Sequence, residues 1–374
     1  MIPVNQPLLN GRERELVTHC IDTGWISSDG PFVQEFEKLF SNYIGVDYGV
    51  AVCNGTAALE TALYAAGVSK GDEVIMPAFT IISCALAVIR LGAVPVLLDA
   101  EPDTWNMDVS QIESRITPRT KVIMPVHIYG HPVDMDPLLA IAKRYNLIVV
   151  EDAAEAHGAE CRGRKCGSLG HISAWSFYAN KILTTGEGGM VLTADKKMAE
   201  RASSYRNLCF HPSRRFYHTE LGHNFRMTNL QAAIGVAQME RIEEFVQIKR
   251  RLGVYYREGL SQIEGIKYQI EKPWAKMVYW MYCIELDPLL GMDAEQMMIE
   301  LGKRGIGTRP FFIGMHEQPV LRDLGLFAGE CYPVTERIAR QGLYLPSGLS
   351  LTEREIDEVV ESVSEVVNSR RRKN

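Results

Sequence analysis

The sequence predicts an α/β fold with a mostly parallel sheet, followed by a smaller α+β domain at the C-terminal end. The first observation is that short, continuously apolar segments alternate with helical segments through the middle of the chain. Strands that are apolar on both faces are typical of parallel sheets covered by helices on both sides. The second observation is the length of 374 residues, which suggests two domains, or one large and one small.

The predicted strands are short apolar segments, most of which stop at a polar residue or a proline. They are Gly49–Cys53, Glu73–Met76, Val94–Leu98, Lys121–Val126, Leu147–Val150, Ala174–Phe177 and Met190–Thr193. The helices among them are predicted at Ala57–Ala66, Ile81–Leu91 and Asp136–Tyr145. Thr56 is the expected N-cap of the first helix, because a threonine hydroxyl at that position accepts a backbone N–H.

A second domain is predicted after a long helical stretch with one charged face, Leu230–Leu260. Its expected elements are one strand and two helices, at Met281–Glu285, Asp293–Lys303 and Glu353–Val367. The sequence therefore divides into a large α/β domain at 1–260, which includes an N-terminal arm, and a small α+β domain at 261–374.

Charge and apolar patterning exclude several classes of protein. The chain has 40 basic and 46 acidic residues, a net charge of −6, so no global positive field favours nucleic acid. The longest apolar segment, Cys84–Leu98, is interrupted by Arg90, Gly92 and Pro95 and is too short to cross a bilayer. No charged leader precedes an apolar stretch at the N-terminus. We therefore expect a soluble, cytoplasmic protein with no nucleic-acid and no membrane partner.

The eight cysteines are scattered and form no CxxC pair, which is typical of reduced thiols in a cytosolic protein. Cys161 and Cys166 lie on either side of Gly163, where a hairpin is predicted. A zinc site there would need a second pair of ligands at the right spacing, which the sequence lacks, so no metal is expected.

Three candidate functional segments follow predicted strands, at Gly55-Thr56, Asp152 and Ser176. They should meet at the edge formed by the carboxyl ends of the strands, where ligands of parallel sheets bind. Gly55 and Thr56 open a helix, whose free N–H groups and positive dipole end bind phosphate. Taken alone, this pair is more often an ordinary N-cap. Ser176 would add a second hydroxyl to the same phosphate.

Asp152 and Lys181 complete a set that suits pyridoxal 5′-phosphate, which needs an amine for its aldehyde and an acid partner for its pyridine nitrogen. Asp152 could equally cap the turn Ala153–Ala156. Glu155 would reach the ring hydroxyl of the cofactor. His157 would pack near the ring or the substrate, although a hydrogen-bonded histidine in the core is the favoured interpretation.

Four motifs carry a resemblance to a known family. They are Gly55–Glu60, Glu151–Gly158, Ser176–Met190 and Asn224–Asn229. In these segments, and over nearly the whole chain, the sequence resembles the sugar-nucleotide aminotransferases of the DegT/DnrJ/EryC1/StrS type. The resemblance implies a fold-type I architecture, like that of aspartate aminotransferase and built on a sheet of the seven-stranded type. It also implies a homodimer with composite active sites and amino transfer from L-glutamate to a nucleotide-linked sugar.

The resemblance also assigns residue roles. Lys181 matches the lysine that holds the cofactor, and Asp152 matches the partner of its pyridine nitrogen. The other matches are Glu155 near the ring hydroxyl, Gly55, Thr56 and Ser176 at the phosphate, and Asn224, which the neighbouring subunit lends to that phosphate. Arg309 and His316 fall where relatives build part of the substrate pocket, or else in a structural loop. Ile81 stands where relatives often place an aromatic residue stacked on the cofactor ring.

The sugar is predicted by resemblance only. The segments Thr23–Ser28, Thr117–His127, Asp134–Pro137 and Trp280–Tyr282 are most similar to the branch that aminates GDP-4-keto-6-deoxy-D-mannose. The alternatives are the same chemistry on a UDP- or dTDP-linked 4-keto or 3-keto hexose, or a non-catalytic regulator that binds the cofactor. Another branch carries histidine in place of the lysine and performs dehydration, and Lys181 argues against it.

Overall fold

The structure is a computed structural model that describes residues 1–211 and 213–371. The last three residues of the predicted small domain, up to Asn374, lie outside the described residues. The α-helices are α1 Glu13–Thr23, α2 Pro31–Ile44, α3 Gly55–Ala65, α4 Ser83–Arg90, α5 Met135–Tyr145, α6 Lys196–Tyr205, α7 Asn229–Met239, α8 Ile242–Leu260, α9 Ala294–Lys303, α10 Pro319–Asp323, α11 Pro333–Gln341 and α12 Glu353–Arg371.

The strands are short, as their apolar runs predict. They are β1 Tyr48–Val52, β2 Glu73–Pro77, β3 Val94–Leu98, β4 Thr120–Ile123, β5 Ile148–Asp152, β6 Glu160–Cys161, β7 Arg164–Lys165, β8 Ile172–Ser176, β9 Gly189–Thr193, β10 Phe210–His211, β11 Arg214–His218, β12 Ile266–Tyr268, β13 Ala275–Lys276, β14 Tyr282–Leu286, β15 Arg309–Pro310 and β16 Gly342–Leu345.

A seven-stranded sheet forms the centre of the described chain, in the order β1-β9-β8-β5-β4-β2-β3. Strands β3, β2, β4, β5 and β8 are parallel to one another, whereas β9 is antiparallel to both β8 and β1. Strands β2, β8 and β9 are buried at every residue, which is why they lack polar alternation. The predicted mostly parallel α/β sheet is confirmed.

Several predicted element bounds differ from the structure, and two of the differences have a clear physical cause. The strand expected at Lys121–Val126 ends at Ile123, close to Pro125, which has no N–H to donate to a sheet ladder. The continuous helix expected at Leu230–Leu260 is divided into α7 and α8. The backbone leaves the helical conformation at Arg241, where φ is −126° and the N–H bonds to the Gln238 carbonyl instead of continuing the helical ladder.

A second sheet, in the order β12-β14-β16-β15, packs with α8, α9 and α12 around its own hydrophobic cluster. Helix α8 contributes to both clusters, because Phe245 and Val246 pack in the larger one while Leu252, Tyr256 and Leu260 pack in the smaller one. The domain boundary at 260/261 stays a prediction.

Cys161 and Cys166 lie at a hairpin formed by β6 and β7, as predicted. Arg162 and Gly163 both have positive φ, 49° and 75°, as a tight two-residue turn requires. All eight cysteines are free. In residues 1–211 and 213–371 no three His, Cys, Asp or Glu side chains are grouped so as to hold a metal ion. None of the helices in these ranges has the length and apolar character needed to span a bilayer.

Candidate active site

The carboxyl ends of β2, β5 and β8 open into a cavity of about 440 Å³. Seven residues singled out from the sequence line it together: Gly55, Thr56, Ile81, Asp152, Glu155, Ser176 and Lys181. This is the edge where ligands of open α/β sheets bind. The fold therefore brings together residues that are far apart along the chain.

One end of the cavity is formed by the N-terminus of α3. The predicted cap was wrong, because Asn54 is the N-cap residue and its side-chain oxygen accepts the Ala57 N–H at 2.8 Å. The Thr56 hydroxyl instead lies 2.9 Å from the Ser83 hydroxyl. A Cβ on Gly55 would lie only 2.7 Å from the Ser176 Cβ, so this position needs glycine. Hydroxyls and helix N–H groups thus converge at a site suited to phosphate.

Asp152 ends β5 and is buried at the base of the cavity. The Ala154 N–H donates to its Oδ1 and the Cys84 thiol donates to its Oδ2, each at 3.1 Å. Burial raises the pKa of Asp152 above its ordinary value. A cationic partner in the cavity would oppose that rise by favouring the ionised carboxylate.

Lys181 faces Asp152 and Glu155 from the loop after β8, with only 11% of its side chain exposed. Its Nζ lies 3.5 Å from Glu155 Oε1 and 3.7 Å from the centre of the Trp280 ring. Burial lowers the pKa of Lys181, although the nearby carboxylates oppose this. A lysine with a lowered pKa supplies a larger share of neutral amine, the form that can act as nucleophile or base.

Glu155 is buried, and its Oε2 accepts the Tyr129 N–H at 2.7 Å. Burial raises its pKa to about 7. A raised carboxyl pKa means that the folded protein binds this proton more tightly than the unfolded chain does. The proton on Glu155 therefore stabilises the folded protein fully below the ordinary pKa of a glutamate. This contribution is lost as the pH rises through the pKa of the folded state.

The cofactor-free protein should therefore lose stability between about pH 5 and pH 8 relative to Glu155→Gln. The expected difference is up to about 3 kcal/mol in the free energy of unfolding. Denaturant unfolding of both proteins across this pH range measures it. Parallel stability curves for the two proteins would contradict the buried, proton-binding state of Glu155.

Four predicted site residues are not part of the cavity lining within the described residues. Asn224 is exposed, and its backbone forms an isolated antiparallel β-bridge with Asn207. Arg309 is exposed, although its strand partner Tyr344 does line the cavity. His316 is buried and its Nε2 lies 3.1 Å from Glu336 Oε1, so it belongs to a separate cluster. The roles of Arg309 and His316 in the substrate pocket stay predictions.

His157 is the fourth of these residues and packs in the core among the rings of Phe40, Trp175 and Phe177. Neither ring nitrogen has a hydrogen-bond partner in the part of the chain that the structure describes. This position agrees with the favoured interpretation of His157 as a core histidine. The hydrogen bond that this interpretation expected is not formed with any of the described residues. Burial lowers the pKa of His157 to about 3, so the ring is neutral.

Several lining residues were not predicted as site residues. Trp280 covers Lys181, and its Nε1–H donates to the Asn180 carbonyl at 2.7 Å. Ser83, Tyr178, Phe312 and Tyr344 complete much of the wall. Trp280 and Tyr178 were noted only as parts of similar segments, and no local signal marks Ser83, Phe312 or Tyr344. Ile81 lines the cavity with 44% of its surface exposed, and its contact with the cofactor ring stays a prediction.

The residues of this cavity fit pyridoxal 5′-phosphate. Thr56, Ser83, Ser176 and the α3 N-terminus offer donors at one end, where the absent Cβ of Gly55 leaves room. The buried Asp152 carboxylate uses one hydrogen bond at each oxygen and keeps acceptor capacity for a protonated pyridine nitrogen. Lys181 presents the amine that the cofactor aldehyde requires.

Comparisons with known proteins agree with this fit. The profile of the DegT/DnrJ/EryC1/StrS aminotransferase family matches residues 7–364. GDP-perosamine synthase of Caulobacter vibrioides is 44% identical over 370 residues, which cover 98% of each chain. GDP-perosamine synthase of Escherichia coli O157:H7 is 39% identical over 97% of this chain and 98% of its own.

A solved structure shows the same architecture. The structure of DesI in the presence of its TDP-sugar product matches with a TM-score of 0.90 at 31% identity, covering 100% of this chain and 94% of that one. The predicted fold-type I class is thereby confirmed.

Proposed function

The chain belongs to the DegT/DnrJ/EryC1/StrS aminotransferase family, and on that premise we propose that it aminates GDP-4-keto-6-deoxy-D-mannose with L-glutamate to form GDP-perosamine. The chain is a pyridoxal phosphate-dependent aminotransferase of sugar nucleotides. The observation that carries the choice of sugar is the 44% identity to a GDP-perosamine synthase across 98% of both chains. We place the reaction in the cytoplasm, where soluble nucleotide sugars are the substrates.

The bound cofactor supplies an electron sink for the amino-bearing carbon. The chain contributes binding and proton transfer. Thr56, Ser83 and Ser176 would hold the phosphate together with the N–H groups of α3. Asp152 would keep the pyridine nitrogen protonated by placing a negative charge beside it.

Lys181 Nζ is the base and acid of the proposed reaction. It would take the proton from the α-carbon of glutamate and deliver it to the cofactor. In the second half-reaction it would move a proton from the cofactor to the carbon of the sugar that is aminated. Glu155 Oε1, 3.5 Å from Nζ, and the Trp280 ring at 3.7 Å hold the amine inside the cavity.

The substrate panel that tests this proposal uses protein loaded with pyridoxal phosphate. Glutamate should release 2-oxoglutarate, and the aminated protein is then mixed with 4-keto-6-deoxy sugars linked to GDP, dTDP and UDP. Mass spectrometry should detect an amino sugar only with the GDP-mannose derivative. An amino sugar formed only on dTDP or UDP would overturn the GDP assignment, while a protein that releases no 2-oxoglutarate would overturn glutamate as donor.

The main alternative is the same chemistry on another nucleotide, and one observation favours it. DesI, whose structure matches over the whole chain, was solved with a TDP-sugar product. The panel above separates the two substrates. A non-catalytic regulator is the remaining alternative, and it would bind the cofactor without amino transfer from any donor.

The proposed enzyme is a homodimer in which each subunit completes the site of the other with Asn224. This side chain is exposed and lies away from the cavity lining of its own described chain, as a group contributed to a neighbour must. We expect Asn224→Ala alone to be inactive at limiting cofactor, because the phosphate loses a donor.

Co-expression of Asn224→Ala with Lys181→Ala under different tags tests the shared site. Mixed dimers then contain one site with both Lys181 and the Asn224 of the other subunit. The purified mixture should recover about a quarter of the native activity, since half of the subunits enter mixed dimers with one intact site each. Activity no higher than the sum of the two separate variants would contradict sites shared through Asn224.

A further inference from the structure

Cys84, in the first turn of α4, has its thiol 3.1 Å from Asp152 Oδ2. Both side chains are buried, and Cys84 is not part of the cavity lining within the described residues. We propose that Cys84 is a positioning residue, which fixes the Asp152 carboxylate and stabilises its ionised form so that it can hold the protonated nitrogen of the cofactor. This inference rests on the proposed role of Asp152 and is independent of the acceptor sugar.

The two bonds to Asp152 come from different parts of the chain and hold its two oxygens separately. The Ala154 N–H, two residues further along, donates to Oδ1 at 3.1 Å. Cys84 lies on α4, far from Asp152 in sequence, and donates to Oδ2. A carboxylate held at both oxygens cannot turn about its terminal bond without breaking one of them. Since each oxygen accepts up to two bonds, both keep capacity for a further donor in the cavity.

Thr80 extends this arrangement by one more bond. Its hydroxyl oxygen lies 3.3 Å from the Cys84 sulfur, and both residues are buried. Because the thiol hydrogen is used toward Asp152, the Thr80 hydroxyl is the donor to the sulfur. The result is a directed chain from Thr80 through Cys84 to Asp152, in which each donor strengthens the next.

The chemistry of the thiol suits this role. Burial raises the pKa of Cys84 well above its ordinary value, and the charge of Asp152 raises it further. The thiol therefore keeps its hydrogen at all pH values where the enzyme would work, and it acts as a donor and not as a competing anion. A hydrogen bond to an ionised acceptor is stronger than one between neutral groups.

Cofactor affinity provides the first test, measured by equilibrium dialysis of pyridoxal phosphate against three variants. Cys84→Ala removes the donor and should weaken binding by about tenfold, the scale of one hydrogen bond to a charged group. Cys84→Ser restores a donor and should bind within about twofold of the native protein. Cys166→Ala is the matched control, because Cys166 is a fully buried thiol in the same hydrophobic cluster.

Infrared spectroscopy of the S–H stretch provides a second test, which needs no activity and no cofactor. The native protein should show a band at lowered frequency that is missing in Cys84→Ser. In Asp152→Asn this band should move to higher frequency, because an amide is a weaker acceptor than a carboxylate. A native spectrum in which the Cys84 band is insensitive to Asp152→Asn would overturn the hydrogen bond itself.

The binding data decide the functional part of the inference. A tenfold loss in Cys84→Ala together with rescue by Cys84→Ser would support it. Equal losses in the alanine and serine variants, or an equal loss in Cys166→Ala, would show that packing is responsible and would overturn it. These readouts stay valid if the substrate panel finds a different sugar or no amino transfer, so failure of the proposed function is recognised separately.

Discussion

Lys181→Ala should abolish amino transfer, with kcat lower by at least about 10³-fold, because positioned acid–base catalysis contributes 10²–10⁴-fold and the attachment of the cofactor is lost as well. In the structure, Lys181 Nζ is held between Glu155 and the Trp280 ring, and alanine at this position would leave no amine there. The measurement is release of 2-oxoglutarate from glutamate at saturating pyridoxal phosphate. Retained turnover would contradict the assignment of Lys181.

A second readout separates catalysis from binding. Borohydride treatment of the loaded native protein should attach the cofactor covalently to the peptide that contains Lys181, and mass spectrometry of the digest locates it. Lys181→Ala should carry no attached cofactor. Lys196→Ala is a suitable control. Lys196 is exposed and forms an ion pair with Glu200, four residues further along the same helix, so this variant should keep native activity.

Asp152→Asn should lower kcat by about 10²–10³-fold, the scale of losing one preorganised electrostatic partner in an active site. Asparagine keeps the shape of the side chain but has no charge to keep the pyridine nitrogen protonated, so the cofactor loses its capacity as an electron sink. The variant should still fold and bind the phosphate through α3. Steady-state kinetics at saturating cofactor measure the loss.

A matched substitution tests whether the loss is specific to the site. Asp136 lies at the surface and pairs with Arg164 at 2.7 Å, so Asp136→Asn should leave kcat unchanged. If Asp152→Asn retained native kcat at saturating cofactor, the proposed role of Asp152 would fail. A loss that disappears at higher cofactor concentration would show a role in binding alone.

The order of strands and helices was predictable because each signal is local. The fully buried strands β2, β8 and β9 are apolar at consecutive positions, which needs no knowledge of their neighbours. The motifs around Asp152 and Lys181 follow such strands, so their meeting at one edge follows from parallel topology. Local signals failed where two residues compete, as Asn54 and Thr56 do for the N-cap of α3.

Local sequence patterns could not predict which side chains of the candidate residues point into the cavity. His157 is close to Asp152 in sequence, yet the turn after β5 sends it into the ring cluster of Phe40 and Trp175. Arg309 and His316 were placed by resemblance, and neither is part of the cavity lining within the described residues. These positions depend on contacts between residues far apart in sequence.

The sequence by itself determined the α/β class, the strand segments, the candidate cofactor and most of the residues proposed to hold it, because apolar runs and compact motifs encode them over short stretches. Ser83 is the exception, since it was found only in the cavity lining. Only the tertiary structure decided that Trp280 covers Lys181, that Cys84 donates to Asp152, and that Asn224 lies away from its own cavity lining within the described chain. The physical reason is that these contacts join segments brought together by burial of the whole core, and no local pattern specifies such a pairing.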